Sequence, residues 1–268
     1  VGNAFNFLLI WLAARAQPGA KLLLRIDDLD ADRKRPGYVA DIFDSLRWLG
    51  LDWDEGPTTP DDFEANWSQN LRIPLYQQAL DHLRQTGLLY ACAKSRQDLT
   101  PFDGEYPSAF RHQQLDMDAP GVAWRIATPP GFPLPDFIVR RKDGVPAYQL
   151  ASIVDDLHFG ITHVVRGADL KESTTAQLWL AARMDRPDFS KIRFFHHPLL
   201  RDDQGDKLSK SAGADYLISL RQNGSSPGIV FRQVGKWLGL SGTAHTAAEL
   251  LTEFQQYLEN SNTSHPEF

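Results

Sequence analysis

Six residues constrain most strongly what this chain can become. The run at 21–26, KLLLRI, stands behind a Pro18-Gly19 turn and leads straight into Asp27-Asp28-Leu29-Asp30. A short apolar run between a turn and an acidic loop is the pattern of a strand covered on both faces. Helical patterns flank it. Residues 3–16 carry Phe5, Phe7, Leu8, Ile10, Trp11 and Leu12 with little polar face, which predicts a buried helix. Val39, Ile42, Phe43, Leu46 and Leu49 recur at helical spacing, and Gly50 suits the position just past a helix end. Helix, strand, acidic loop and helix in this order predict an α/β fold with a parallel sheet.

Farther along, a helix is expected over 74–86, with Leu75, Ala79, Leu80 and Leu83 inward and Gly87 behind it. Residues 88–136 change character. Leu88-Leu89-Tyr90 and the alternating Val122, Trp124 and Ile126 read as strands between proline-rich turns, a small inserted α+β subdomain. Asp143-Gly144 signals a hairpin within 137–147, and strands are expected at 161–165 and 192–195. Ser173 or Thr174 is placed to cap the helix after the first of these strands. Two helices close the chain. One covers 229–238; the other starts at Thr246, with Glu249 completing a capping box and Leu250, Leu251, Phe254 and Leu258 as its stripe. The expected division is therefore 1–87 and 137–213 as the halves of one α/β domain, 88–136 as the insertion, and 214–268 as a helical segment.

Charge and composition narrow the function. Lys and Arg number 28 against 34 Asp and Glu, a net −6, which argues against nucleic-acid binding over the whole surface. Two basic runs remain, Arg33-Lys34-Arg35 and Arg140-Arg141-Lys142. They are either phosphate contacts or solvated surface loops. With 42% hydrophobic and 23% charged residues the chain is neither disordered nor fibrous. The longest apolar run, residues 7–14, is far short of the roughly 20 residues that span a membrane. No basic leader precedes it, so neither a membrane anchor nor a signal peptide is expected. The single cysteine, Cys92, cannot form an internal disulfide and suits a reducing, cytoplasmic compartment.

The chemistry is carried by an ordered series of motifs. Arg25-Ile26-Asp27-Asp28-Leu29-Asp30 comes first, then residues 48–57 (WLGLDWDEGP) and residues 143–151 (DGVPAYQLA), with Val154-Asp155-Asp156 behind them. Residues 160–170 (GITHVVRGADL) follow, and Lys207-Leu208-Ser209-Lys210-Ser211 closes the series. Two lysines flanking a serine near Gly205 and Gly213 suit a loop that clamps a polyphosphate. The whole string resembles the catalytic core of glutamyl-tRNA synthetases, class I aminoacyl-tRNA synthetases, over about residues 1–240.

The resemblance implies a Rossmann-type catalytic domain split by a connective insertion, and activation of L-glutamate with ATP and Mg2+ before transfer to RNA. It assigns Lys207, Ser209 and Lys210 to the ATP phosphates, with Lys207 and Lys210 supplying the catalytic charge. Tyr148 matches a glutamate-contacting tyrosine and Arg166 an arginine that pairs with a substrate carboxylate. On the residues alone, Tyr148 also reads as a buried tyrosine with a bonded hydroxyl, and Arg166 as an internal partner of Asp169. Asp27 stands where the family usually has the glutamate that binds the substrate's amino group, one methylene shorter. Asp28 and Asp30 are candidates to organise the loop and cap the next helix.

The sequence departs from the family at three places. Gly2 and Asn3 correspond to the second half of an H-x-G-x motif that contacts ATP, and a longer natural protein is expected. The family's insertion often holds zinc on Cys-x-Cys and Tyr-x-x-x-Cys. Here Cys92 keeps one thiolate, Lys94 takes the second place and Phe110 the last, so no zinc is expected. The short stretch after KLSKS resembles the glutamyl-queuosine tRNA-Asp synthetases, the short paralogues that attach glutamate to the queuosine base of tRNA-Asp, as does Asp169-Leu170. A monomer is expected, with Arg33, Arg35, Arg140 and Arg141 toward the RNA. The alternatives are a catalytic fragment of an ordinary glutamyl-tRNA synthetase and an inactive paralogue that binds RNA or protein.

Overall fold

A computed structural model describes residues 2–30, 37–95, 97–102, 106–198 and 217–261, with the backbone alone at Gly2 and Asn3. The fold is mixed α/β and divides into two compact units. The first comprises residues 1–69, 165–168 and 195–268; the second comprises 70–164 and 169–194.

Helix α1 (Gly2–Arg15) is the centre of the first unit. Ala4, Phe5, Leu8, Leu9, Trp11 and Leu12 are all buried in it, as a helix with almost no polar face requires. They share one apolar core with Leu46, Leu49 and Leu51, with Leu217, and with residues of α6 (Gly228–Trp237) and α7 (Ala247–Asn260). Helix α2 (Tyr38–Trp48) ends where Gly50 takes φ 64°, and Leu51 N–H bonds back to the Leu46 carbonyl at 3.0 Å. That Schellman closure is what Gly50 predicts. Helix α7 starts as expected: Thr246 Oγ1 accepts from Glu249 N–H at 3.2 Å. The Glu249 carboxylate reaches back one residue farther than a standard capping box, to His245 N–H at 2.8 Å.

Two local expectations for the first unit are corrected. The 21–26 run makes one parallel bridge, Leu23 to Glu55, rather than a full strand. Leu24 N–H donates to the Glu55 carbonyl at 2.9 Å, but Leu22 N–H is taken by the Asp54 side chain at 2.7 Å, and Gly56 at φ 113° turns the partner segment away. Asp28 and Asp30 do not cap α2: its N-cap is Gly37, with no side-chain cap bond.

The second unit holds α3 (Ile73–Gln85), α4 (Tyr148–His158) and α5 (Lys171–Arg183), with α3 and α5 packed on α4. Its antiparallel sheet runs β1 (Leu89–Cys92), β2 (Ala123–Ile126), β3 (Phe137–Arg140). Leu89 pairs with Ile126, Cys92 with Ala123 and Ile126 with Phe137. The Asp143-Gly144 turn follows β3, with Arg141 N–H on the Val145 carbonyl at 2.8 Å and Gly144 at φ 89°. Neither Ser173 nor Thr174 caps α5. The 3-10 turn Ala168–Leu170 feeds directly into that helix, and Thr174 Oγ1, one turn in, donates to the Leu170 carbonyl at 3.1 Å. Strands β4 (His163–Gly167) and β5 (Arg193–His197) pair with each other and carry the chain between the units.

Candidate active site

In the first unit, Leu24 and Val165 pack against the same apolar core. Asp27 lies on the acidic loop that leaves Leu24, and Arg166 follows Val165 in β4. Asp27 keeps 46% of its side chain exposed, and its Oδ1 accepts from Arg25 Nε at 2.9 Å. Arg166 is buried, at 8% exposure. Gly2 and Asn3 are the first two residues of α1. At the far end of β5, His197 is buried beside that helix: its Nε2 shares a hydrogen bond with Asn6 Oδ1 at 3.2 Å, and its ring meets Phe5 edge-on.

Tyr148 opens α4 in the second unit, on the surface at 48% exposure, which removes the buried-tyrosine alternative. The helix behind it is anchored by a buried group. Fully buried Asp155 accepts from Arg72 Nε and from Tyr76 Oη, both at 2.7 Å. Burial, with the Asp155 carboxylate next to it, pushes the Tyr76 hydroxyl well above its ordinary pKa, so it remains a donor. The basic run that begins at the last residue of β3 is engaged within the chain. The Arg140 guanidinium lies 4.9 Å from the Trp124 ring centroid and Arg141 pairs with Asp143 at 2.6 Å. Arg33 and Arg35 lie outside the described residues, as do Lys207, Ser209 and Lys210.

The place of the family's zinc ligands does not fit zinc. Buried Cys92 Sγ accepts from Tyr106 Oη at 3.0 Å, Phe110 packs edge-on to Tyr106 at 5.5 Å, and Lys94 Nζ sits 4.9 Å from the Phe110 centroid. Burial and the hydrogen bond to Cys92 push the Tyr106 hydroxyl up to about 12, so it is a neutral donor rather than a metal-binding phenolate.

The family model of the class I tRNA synthetases (E and Q), catalytic domain, matches residues 1–114 and 110–265. The chain belongs to this family. Among curated proteins, one named glutamyl-Q tRNA(Asp) synthetase from Parasynechococcus marenigrum is 40% identical over 265 residues, covering 96% of this chain and 85% of that protein. A protein of the same name from Pseudomonas fluorescens is 35% identical over 280 residues, covering 93% and 88%. The crystal structure of a glutamate-tRNA synthetase from Elizabethkingia anophelis superposes with a TM-score of 0.72 at 22% identity. The chain spans 63% of the length of that synthetase, and the likeness supports the class I synthetase fold.

Within this class I chain, residue-level reading missed three groupings: the Arg72–Tyr76–Asp155 anchor, the Asn6–His197 pair, and a set of bonds joining Asp28 to Ser68 and Gln69. Asp155 stood in the quoted Val154-Asp155-Asp156 motif, but its partners carry no local signal. Asp28 does organise its loop, as its position suggested.

Proposed function

We propose that this class I synthetase activates L-glutamate with ATP and transfers the glutamyl group to the queuosine base of tRNA-Asp. The match over nearly the whole chain to proteins named for that reaction carries the reading. In the first step a glutamate carboxylate oxygen bonds to the α-phosphorus of ATP and the bond to the β-phosphate bridging oxygen breaks, releasing pyrophosphate. In the second, a hydroxyl of the queuosine diol attacks the acyl carbon and AMP leaves.

Arg166 pairs with a substrate carboxylate, since a guanidinium offers it two parallel donors. Asp27 takes the ammonium group and Tyr148 lies against the amino acid. Gly2 and Asn3 approach ATP at the start of α1, and Lys207, Ser209 and Lys210 hold its phosphates and stabilise charge developing there. Mg2+ arrives with those phosphates. The fold reading is a Rossmann-type parallel sheet in two halves, 1–87 and 137–213, around an insertion at 88–136, with 214–268 as a helical segment. We place the enzyme in the cytoplasm, as a monomer, with Arg33, Arg35, Arg140 and Arg141 toward the RNA. Among the described residues no helix is long and apolar enough to cross a membrane.

The test is labelled glutamate transfer to tRNA-Asp with and without queuosine. Transfer is expected only with queuosine, and it should survive removal of the 3′-terminal adenosine. Loss of labelling on the truncated tRNA would mean that the 3′ end is the acceptor, and the reading would fall.

A further inference from the structure

We infer that Asp28, Ser68 and Gln69 form a clasp that positions the Asp27 carboxylate for the ammonium group of glutamate, an inference that rests on the function proposed above. The bonds are reciprocal. Asp28 Oδ1 accepts from Gln69 N–H at 2.8 Å and its Oδ2 from the Ser68 hydroxyl at 2.7 Å. In return, Gln69 Oε1 accepts from Asp28 N–H at 2.9 Å and from Leu29 N–H at 3.2 Å. Asp28, Ser68 and Gln69 are 7%, 3% and 3% exposed. Burial of this kind removes competing water, so each bond holds the loop more firmly than it could on the surface.

Asp27 sits between two fixed neighbours. Ile26 is buried in an apolar cluster with Val39, Phe43 and Phe63, and Asp28 is held by the clasp. Both neighbours are buried, while the carboxylate of Asp27 between them is nearly half exposed. The shorter acid sharpens the dependence on backbone. An aspartate has one torsion fewer than a glutamate with which to correct its reach, so the position of its carboxylate is set by the loop that carries it and by its ion pair with Arg25 on the same segment. Asp28, Ser68 and Gln69 are positioning residues in this account; they do not touch substrate.

The experiment is glutamate-dependent exchange of pyrophosphate into ATP, with KM for glutamate and for ATP measured separately on the intact natural protein. Gln69→Met keeps the length of the side chain and removes its acceptor. KM for glutamate is expected to rise about tenfold, below the roughly 10²-fold that a 1 Å misplacement can cost, with KM for ATP within about twofold. If Gln69→Met does not fold, Ser68→Ala, which removes one donor, should raise KM for glutamate about threefold, the effect of losing one modest hydrogen bond. An unchanged KM for glutamate in the folded variant, or an equal rise in both KM values, overturns the clasp's role while leaving the function in place. A parent protein with no glutamate-dependent exchange overturns the proposed function, and this inference with it.

Discussion

Arg166 and Asp27, both proposed to meet the substrate, differ in their surroundings: the first is buried and the second keeps nearly half of its side chain exposed. Arg166 is buried in β4 and shielded from water. Lysine at that position keeps the charge but presents a point donor on a flexible stem instead of a planar fork. Arg166→Lys is therefore expected to weaken glutamate binding about tenfold or more, the cost of losing one charge-assisted hydrogen bond. ATP alone should bind as before. Calorimetric titration of each ligand separates the outcomes: if both weaken together, Arg166 supports the fold rather than the substrate. Arg140, proposed to face the RNA, also has a partner within the chain: its guanidinium lies 4.9 Å from the ring centroid of buried Trp124, and Arg84 lies 5.3 Å from the same centroid.

The segment 21–26 is where a local pattern and the structure part. Its apolar residues do enter the core, with Ile26 buried and Leu22 and Leu24 packed against it. Its hydrogen bonds, however, depend on the neighbouring segment at 53–56. Gly56 decides how close the two can come. At φ 113° it adopts a conformation side chains avoid, and a Cβ there would stand 2.4 Å from the Leu24 carbonyl oxygen. No rotamer relieves a clash between a Cβ and backbone. Gly56→Ala is expected to destabilise the protein by about 2 kcal/mol or more, from backbone strain and from separation of the Leu23–Glu55 bridge. Urea unfolding would measure this, and a change below about 0.5 kcal/mol would mean that the approach at Gly56 is not needed.

Each compact unit solves its stability problem with its own means. The first has a large apolar core around α1. The second adds a polar hub at the base of its sheet. Buried Asp136 accepts from Arg111 Nε and Nη2 at 2.7 and 2.6 Å, from Tyr90 Oη at 2.7 Å and from Thr128 N–H at 2.9 Å. Burial alone would push its pKa up, but the bonds from Arg111, Tyr90 and Thr128 outweigh it and hold the carboxyl below the usual value of 3.8. A depressed folded pKa means that the hub stabilises above the unfolded value, and that the stabilisation fades as pH falls through the folded one. Asp136→Asn is expected to cost about 2–4 kcal/mol at pH 7. The gap to the parent should narrow in thermal melts as pH is lowered below the ordinary carboxylate range, where the parent's carboxyl takes up its proton. A gap independent of pH would show that the hub works by shape rather than charge. Since the Cys92–Tyr106–Phe110 cluster fills the place of zinc ligands with packed side chains, a chelator should leave the parent's melting curve unchanged.

What the residues determined unaided had a local cause. Helix ends at Gly50 and Thr246, the Asp143-Gly144 hairpin and the buried face of α1 all depend on neighbours within a few positions, so spacing alone revealed them. The candidate glutamate residues were legible through the order of their motifs. The carboxylates are a different matter. Asp27, Asp28 and Asp30 are nearly indistinguishable along the chain, and only folding brings Gln69, 41 residues away, to Asp28. It likewise brings Arg72, 83 residues away, to Asp155. A buried carboxylate must find donors wherever the packing puts them. Which acid is buried in bonds that hold the loop and which keeps its carboxylate exposed was therefore a decision of the tertiary structure.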